Sequence, residues 1–209
     1  MTDHATLRMH REHVRITDRE MLSAILDLCE VANVGLHDEP YPYTVPMNFG
    51  YEWQGDNLVF YLHMAFEGHR IELIKQNPKV SVCCWTFLDR VGHKPFQRET
   101  HDYRSVMAYG EAEILTYEEN PEEYIKVLSM LHQKSGRPAV KKMPKAMTDR
   151  LRGLKITCPA ELVMAKAQYD IFTVDEVPMP SLEDVDAGLV YDPKKVQPDK
   201  PYEPHARDE

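Results

Sequence analysis

The feature that most constrains this chain is a strict alternation over residues 43–51. Tyr43, Val45, Met47, Phe49 and Tyr51 alternate with Thr44, Pro46, Asn48 and Gly50. A period of two puts the first set on one face of a strand and the second set on the other. Pro46 stands in the middle of this pattern and has no N–H to give a ladder. The strand therefore belongs at a sheet edge, a bulge or a break in pairing. Gly55, inside the turn Gln54 to Asn57, permits positive φ and closes a hairpin, and Leu58 to Met64 returns. Strands joined by so short a turn run antiparallel.

The remaining chain repeats this local logic. TDREMLSAILDLCEVA, residues 17–32, reads as an amphipathic helix, with Thr17 as N-cap and Glu20 three residues later in a capping box. Val34 to Leu36 is a short strand, and Asp38 to Pro42 carries turn chemistry. Glu67 to Asn77 reads as a short helix that Pro78 stops. Lys79 to Leu88 is a strand rich in β-formers, residues 89–103 form a polar loop, and Tyr103 to Leu115 returns as a strand. Pro121 to Gln133 is a helix with proline where its missing N–H costs little. Lys141 to Arg152 reads as a second, basic helix, and Leu154 to Ala167 as the last strand. Six strands with local hairpins and peripheral helices predict a mainly β (α+β) domain, a small six-stranded antiparallel barrel.

Three regions follow: an N-terminal extension over 1–16, the barrel over 17–170, and a Pro-rich acidic tail over 171–209. Six of the fifteen prolines lie beyond Asp175, where acids outnumber bases. Such a segment buries little apolar surface. The formal net charge of −9 argues against a general nucleic-acid binder, whose affinity comes from neutralising phosphates. No apolar run approaches the ~20 residues of a membrane helix, and the first residues lack an apolar signal core. These observations predict a cytoplasmic chain with neither nucleic-acid nor membrane partners. Cys29, Cys83, Cys84 and Cys158 form no CxxC pair, so a disulfide framework, a zinc ribbon and a metal site are not expected.

Chemistry concentrates in three segments. In YPYTVPMNFGYE, the interrupted pairing at Pro46 leaves the amides of Val45 and Met47, and the Asn48 side chain, as contacts for a planar ligand. A plain strand bulge is the alternative. In HMAFEGHRIELIK, a strand ends near His63, Gly68 gives backbone freedom, and His69 and Arg70 stand on the first turn of a helix. Free N–H groups, the helix dipole and an arginine fork together favour an anion such as phosphate. The alternative is that Arg70 and Lys75 are solvated and His63 belongs to the core. In HDYRSVMAYGEAEIL, Ser105 lies opposite Val106 and Ala108. Ala108, Gly110 and Ala112 permit close approach of a ligand or of a neighbouring strand. Trp85 and Tyr103 are candidates for stacking on an aromatic ligand or for packing in a core or interface.

Taken in order, VGLHDEPYPYTVPMNFGYE, LVFYLHMAFEGHRIELIKQNPKVSVCC and YRSVMAYGEAEIL resemble the FMN-binding split-barrel superfamily. Within it they resemble pyridoxamine 5′-phosphate oxidase-related proteins of the nitroimidazole-resistance type. The likeness runs from about residue 12 to about residue 166. It implies a homodimer with two FMN sites at the subunit interface and a small-molecule substrate. On that resemblance Thr44, Val45, Pro46, Met47 and Asn48 run beside the isoalloxazine and ribityl chain. His63, Gly68, His69, Arg70 and Lys75 surround the phosphate. Tyr103, Arg104 and Ser105 reach the flavin from the other subunit, and His63 is the residue implicated in activity.

The activity implied is an FMN-dependent oxidoreductase acting on a small aromatic or nitro compound. A non-catalytic flavin module is a second reading, and haem binding or breakdown, with His93 and His101 as ligands, a third. A deazaflavin fits related barrels as well. The C-terminal arginine pattern of true pyridoxamine-phosphate oxidases is not found after Ala167, which argues against vitamin B6 synthesis.

Overall fold

The computed structural model describes residues 15–93 and 98–167, and gives the backbone alone for 88–93 and 98–102. The described residues form nine strands: β1 (Arg15–Ile16), β2 (Val31–Leu36), β3 (Tyr43–Asn48), β4 (Gly50–Gln54), β5 (Asn57–Ala65), β6 (Lys79–His93), β7 (Arg98–Leu115), β8 (Leu151–Pro159) and β9 (Val163–Ala167). The helices are α1 (Arg19–Leu28), α2 (His69–Gln76), α3 (Pro121–Lys134) and the short α4 (Lys145–Thr148).

One antiparallel sheet runs β3-β2-β6-β7-β8-β5-β4, with β9 pairing β7 and β1. Its two end strands, β3 and β4, are separated in the chain by Phe49 alone. The sheet therefore curls until its edges meet at that residue. The ladder does not close, since no pairing joins β3 to β4 among the described residues.

Nine strands replace the six expected, for three reasons. The alternation through Tyr51 breaks at Phe49, because Phe49 and Gly50 are both buried and the phase is lost. A Cβ on Gly50 would lie 2.6 Å from the Met130 backbone, so α3 presses on the chain there. The last strand divides at a 3-10 turn, Ala160–Leu162, and its halves pair with successive stretches of β7. Arg15–Ile16 adds the ninth by pairing with β9.

Three further expectations change. Residues 89–93 and 98–103 are strand and not loop: β6 continues to His93 and β7 begins at Arg98, with a register shift between Phe87 and Asp89. The two stretches are paired along the backbone from Asp89↔Asp102 to His93↔Arg98. The N-cap of α1 is Asp18, whose carboxylate accepts from Met21 N at 2.9 Å, in place of Thr17. Of Lys141–Arg152, only Lys145–Thr148 is helical, while Leu151 and Arg152 already belong to β8. Residues 1–14 and the tail after Ala167 lie outside the described residues.

Two apolar clusters hold the fold. The larger fills the curl of the sheet and takes Leu22, Ile25 and Leu26 from α1. The smaller joins Val127 of α3 to Val59, Tyr61 and Leu115. β5 is thus buried on both faces, Leu58, Phe60 and Leu62 inward and Val59 and Tyr61 under α3. His63 follows Tyr61 on the α3 side, and that phase places it in the site.

Candidate functional site

The site begins where β5 ends and α2 starts. Gly68 precedes α2 at φ 134°, a conformation that only glycine adopts without strain, and the space where a Cβ would stand is open. No side chain caps this helix. Its amphipathic pattern buries Ile71, Leu73 and Ile74, which turns the first-turn residues His69 and Arg70 toward β3. Arg70 Nη1 donates to the Met47 thioether at 3.0 Å. Its Nε is buried and has no hydrogen-bond partner.

His63 is exposed on the α3 side of β5. It lines a cleft of about 440 Å³ together with Asn48 and Phe49. The opposite wall comes from Leu128, Leu131 and Lys134 of α3, and from Met143 and Met147 beyond it. Desolvation by these walls lowers the His63 pKa from its ordinary value of 6.5, and the Arg70 charge lowers it further. The imidazole is therefore held neutral between a cation on one side and an apolar cleft on the other. Two larger hollows, of about 790 and 800 Å³, contain none of the candidate residues.

The β3 residues divide by face. Tyr43, Val45 and Met47 turn inward, and Thr44, Pro46 and Asn48 are exposed. Among the described residues β3 has a neighbour on one side only, β2, which gives Pro46 the edge position its chemistry requires. The exposed face continues across β6 and β7. Trp85 is 57% and Phe87 49% exposed, and Tyr103, Met107 and Tyr109 lie beside them.

Asn48 and His63 thus share one cleft, while Arg70 contacts Met47, the residue before Asn48, and its charge acts on His63. His69 points elsewhere: its Nε2 lies 2.7 Å from Asp38 Oδ2. Lys75 stands in the last turn of α2, 3.6 Å from Glu72. Tyr103 and Ser105 lie on the outer face of β7, while Arg104 is fully buried and Nη1 donates to the Tyr103 carbonyl. Small residues on β7 serve strand packing, since a Cβ on Gly110 would lie 2.3 Å from Thr157 O. The side chains of His93 and His101 lie outside the described residues. Sequence reasoning missed Asp38 and the α3 wall. The wall had a signal in Tyr124, Val127, Leu128 and Leu131, spaced for one helix face.

Residues 18–156 match the family model described as pyridoxamine 5′-phosphate oxidase. The chain belongs to that family. A proposed 5-nitroimidazole antibiotic resistance protein from Bacteroides thetaiotaomicron is 24% identical, over 73% of this chain and 86% of that one, with TM-score 0.56. The FAD and heme binding protein from Mycobacterium smegmatis is 18% identical, over 84% and 80%, with TM-score 0.58. Flavocytochrome Anf3 from Azotobacter vinelandii is 18% identical, over 97% and 89%, with TM-score 0.59. At these identities the likeness is one of fold. No curated protein matches the chain. No helix among the described residues is long and apolar enough to cross a membrane.

Proposed function

We propose that this member of the pyridoxamine 5′-phosphate oxidase family is an FMN-dependent oxidoreductase that reduces a small aromatic or nitro compound and acts as a homodimer. One observation carries the reading. Arg70 has a buried nitrogen without a partner, beside the first turn of α2, and its charge reaches a neutral His63 at the edge of an apolar cleft.

A buried N–H left unpaired costs about 1–3 kcal/mol, so it signals an absent acceptor. A ribityl phosphate fits. The Arg70 fork and the first-turn amides of α2 would hold it, with Gly68 leaving room. Thr44 to Asn48 would flank the ring system along the open edge of β3. When bound, FMN supplies the electron transfer. The chain's own residues do the rest. The apolar side chains of α3 cover one side of the cleft. Neutral His63 keeps one N–H and one open ring nitrogen, so it can deliver a proton to a reduced acceptor and be reprotonated from solvent.

The exposed strip of Trp85, Phe87, Tyr103, Met107 and Tyr109 supports the homodimer, because a contiguous apolar sheet face marks an interaction surface. A second copy seated there would bring Tyr103 and Ser105 toward the partner's flavin. The relatives described as nitroimidazole resistance, FAD and heme binding proteins support a flavin over other phosphorylated ligands.

The test is the absorption spectrum after adding FMN and desalting, followed by anaerobic reduction and reoxidation. Retained flavin bands, with reoxidation faster in nitroimidazole than in buffer, are expected. Retained flavin with no acceleration by any acceptor makes the protein a binding module. A colourless protein overturns the proposal, and a Soret band on haemin titration would then assign the site to haem.

A further inference from the structure

We infer that Asp38 and His69 are positioning residues for the anion site: together they tie the turn after β2 to the first turn of α2 and so aim Arg70. The inference rests on the FMN reading above.

By sequence position His69 is the obvious neighbour of Arg70 at a phosphate. The structure commits its ring elsewhere. Nε2 lies 2.7 Å from Asp38 Oδ2, and the Tyr43 ring meets the imidazole edge-on, with centroids 5.5 Å apart and planes at 83°. Arg70, the next residue, reaches Met47 Sδ at 3.0 Å. Adjacent residues of one helical turn are thus fastened to β3 near both its ends, Tyr43 at the start and Met47 toward the finish.

The fastening has work to do. Gly68 precedes the helix in a glycine-only conformation and offers no side-chain cap. Backbone bonds from Ile71 and Glu72 to the Gly68 carbonyl close the first turn of α2, but no N-cap side chain holds it, where one would ordinarily do so. Asp38, thirty-one residues earlier in the chain, supplies the missing hold. The hydrogen bond from the His69 imidazole keeps the Asp38 carboxyl below the ordinary carboxylate range, so the hold is present at neutral pH.

Electrostatics alone gives the opposite sign from positioning. Asp38 is an anion close to a site for an anion, so neutralising it would tighten phosphate binding through charge. If Asp38 acts by aiming Arg70, neutralising it loosens binding instead. The effect must also depend on the phosphate, because Arg70 serves only that end of the ligand.

The experiment measures the affinity of the whole chain for FMN and for riboflavin, which lacks the phosphate. It compares the wild type with Asp38→Asn, His69→Ala and the double variant. Each single variant should weaken FMN binding about three- to tenfold, a modest loss because the pair is partly exposed. The double variant should lie within about twofold of the singles, since removing either partner breaks the same link. Riboflavin affinity should stay within about twofold in all of them. Asp38→Asn that binds FMN as well as or better than the wild type overturns the inference. So do additive losses, and so does an equal loss for riboflavin, which would mark a merely structural pair. A wild-type chain that takes up no FMN overturns the reading beneath it, and that result appears before any variant is made.

Discussion

Replacing Arg70 by alanine tests the site most directly. The guanidinium is part-buried, and among the described residues its Nε lacks a partner and Nη1 donates to the Met47 sulfur. In the free protein it therefore gives up little when removed, and thermal stability should change by no more than about 1 kcal/mol, because no carboxylate or carbonyl loses a donor. The loss appears on binding. A hydrogen bond between charged groups contributes about 1.5–3 kcal/mol, and about 1.4 kcal/mol corresponds to a tenfold change in affinity. FMN should bind about ten- to a hundredfold more weakly to Arg70→Ala, and riboflavin about as well as before. Arg70→Lys keeps the charge without the fork and should fall between. Quenching of flavin fluorescence on titration gives each dissociation constant, and raising the salt concentration should narrow the gap between FMN and riboflavin. FMN affinity within twofold of the wild type would remove Arg70 from the phosphate site and refute the reasoning.

The lowered pKa of His63 makes its unfolded state bind a proton first, so this residue favours folding above pH 6.5 and loses that contribution as pH falls. His63→Gln should therefore flatten the stability curve below pH 6.5 in chemical denaturation, and should lower turnover more than flavin affinity. Glu52 accepts from Tyr61 OH at 2.8 Å and Gln54 Nε2 at 2.6 Å and pairs with Lys126, while Tyr61 is fully buried. Glu52→Ala should cost about 2–3 kcal/mol, a fall in Tm of about 5–10 °C, and an unchanged Tm would show that water replaces the carboxylate. Burial pushes the Cys29 thiol up to about 11 and Cys158 to about 12, and raises Cys84 and Cys83 as well, but Cys83 is only half-buried and so the most accessible of the four. A thiol reagent at neutral pH should modify Cys83 first, and Cys83→Ser should abolish the fast phase of labelling.

The pieces legible in the sequence are those set by local periodicity. The alternation around Tyr43, the turn at Gly55 and the helix behind Pro121 all follow from residues within one or two turns of each other. The break at Phe49 was not legible, because it comes from Met130 pressing on Gly50 from a distant helix. Nor was the long arm of β6 and β7, whose outer half is polar and paired through the backbone. The same holds in the site. Arg70 and His63 were named from a strand end and a helix start. The pairing that takes His69 away from them was hidden, since Asp38 reads in isolation as one more turn residue. The cleft wall needed the tertiary placement of α3, which no local pattern supplies.

The position of Pro46 has a consequence for how the chain behaves in company. β3 ends the sheet, and among the described residues no strand lies on its outer side. An open edge of this kind offers a template on which another chain can add a strand and begin to aggregate. Proline in the middle of that edge removes one donor from the row, so an incoming strand finds a gap and cannot continue a regular ladder across it. A residue placed at a sheet edge by its missing donor thus also guards that edge against uncontrolled strand addition.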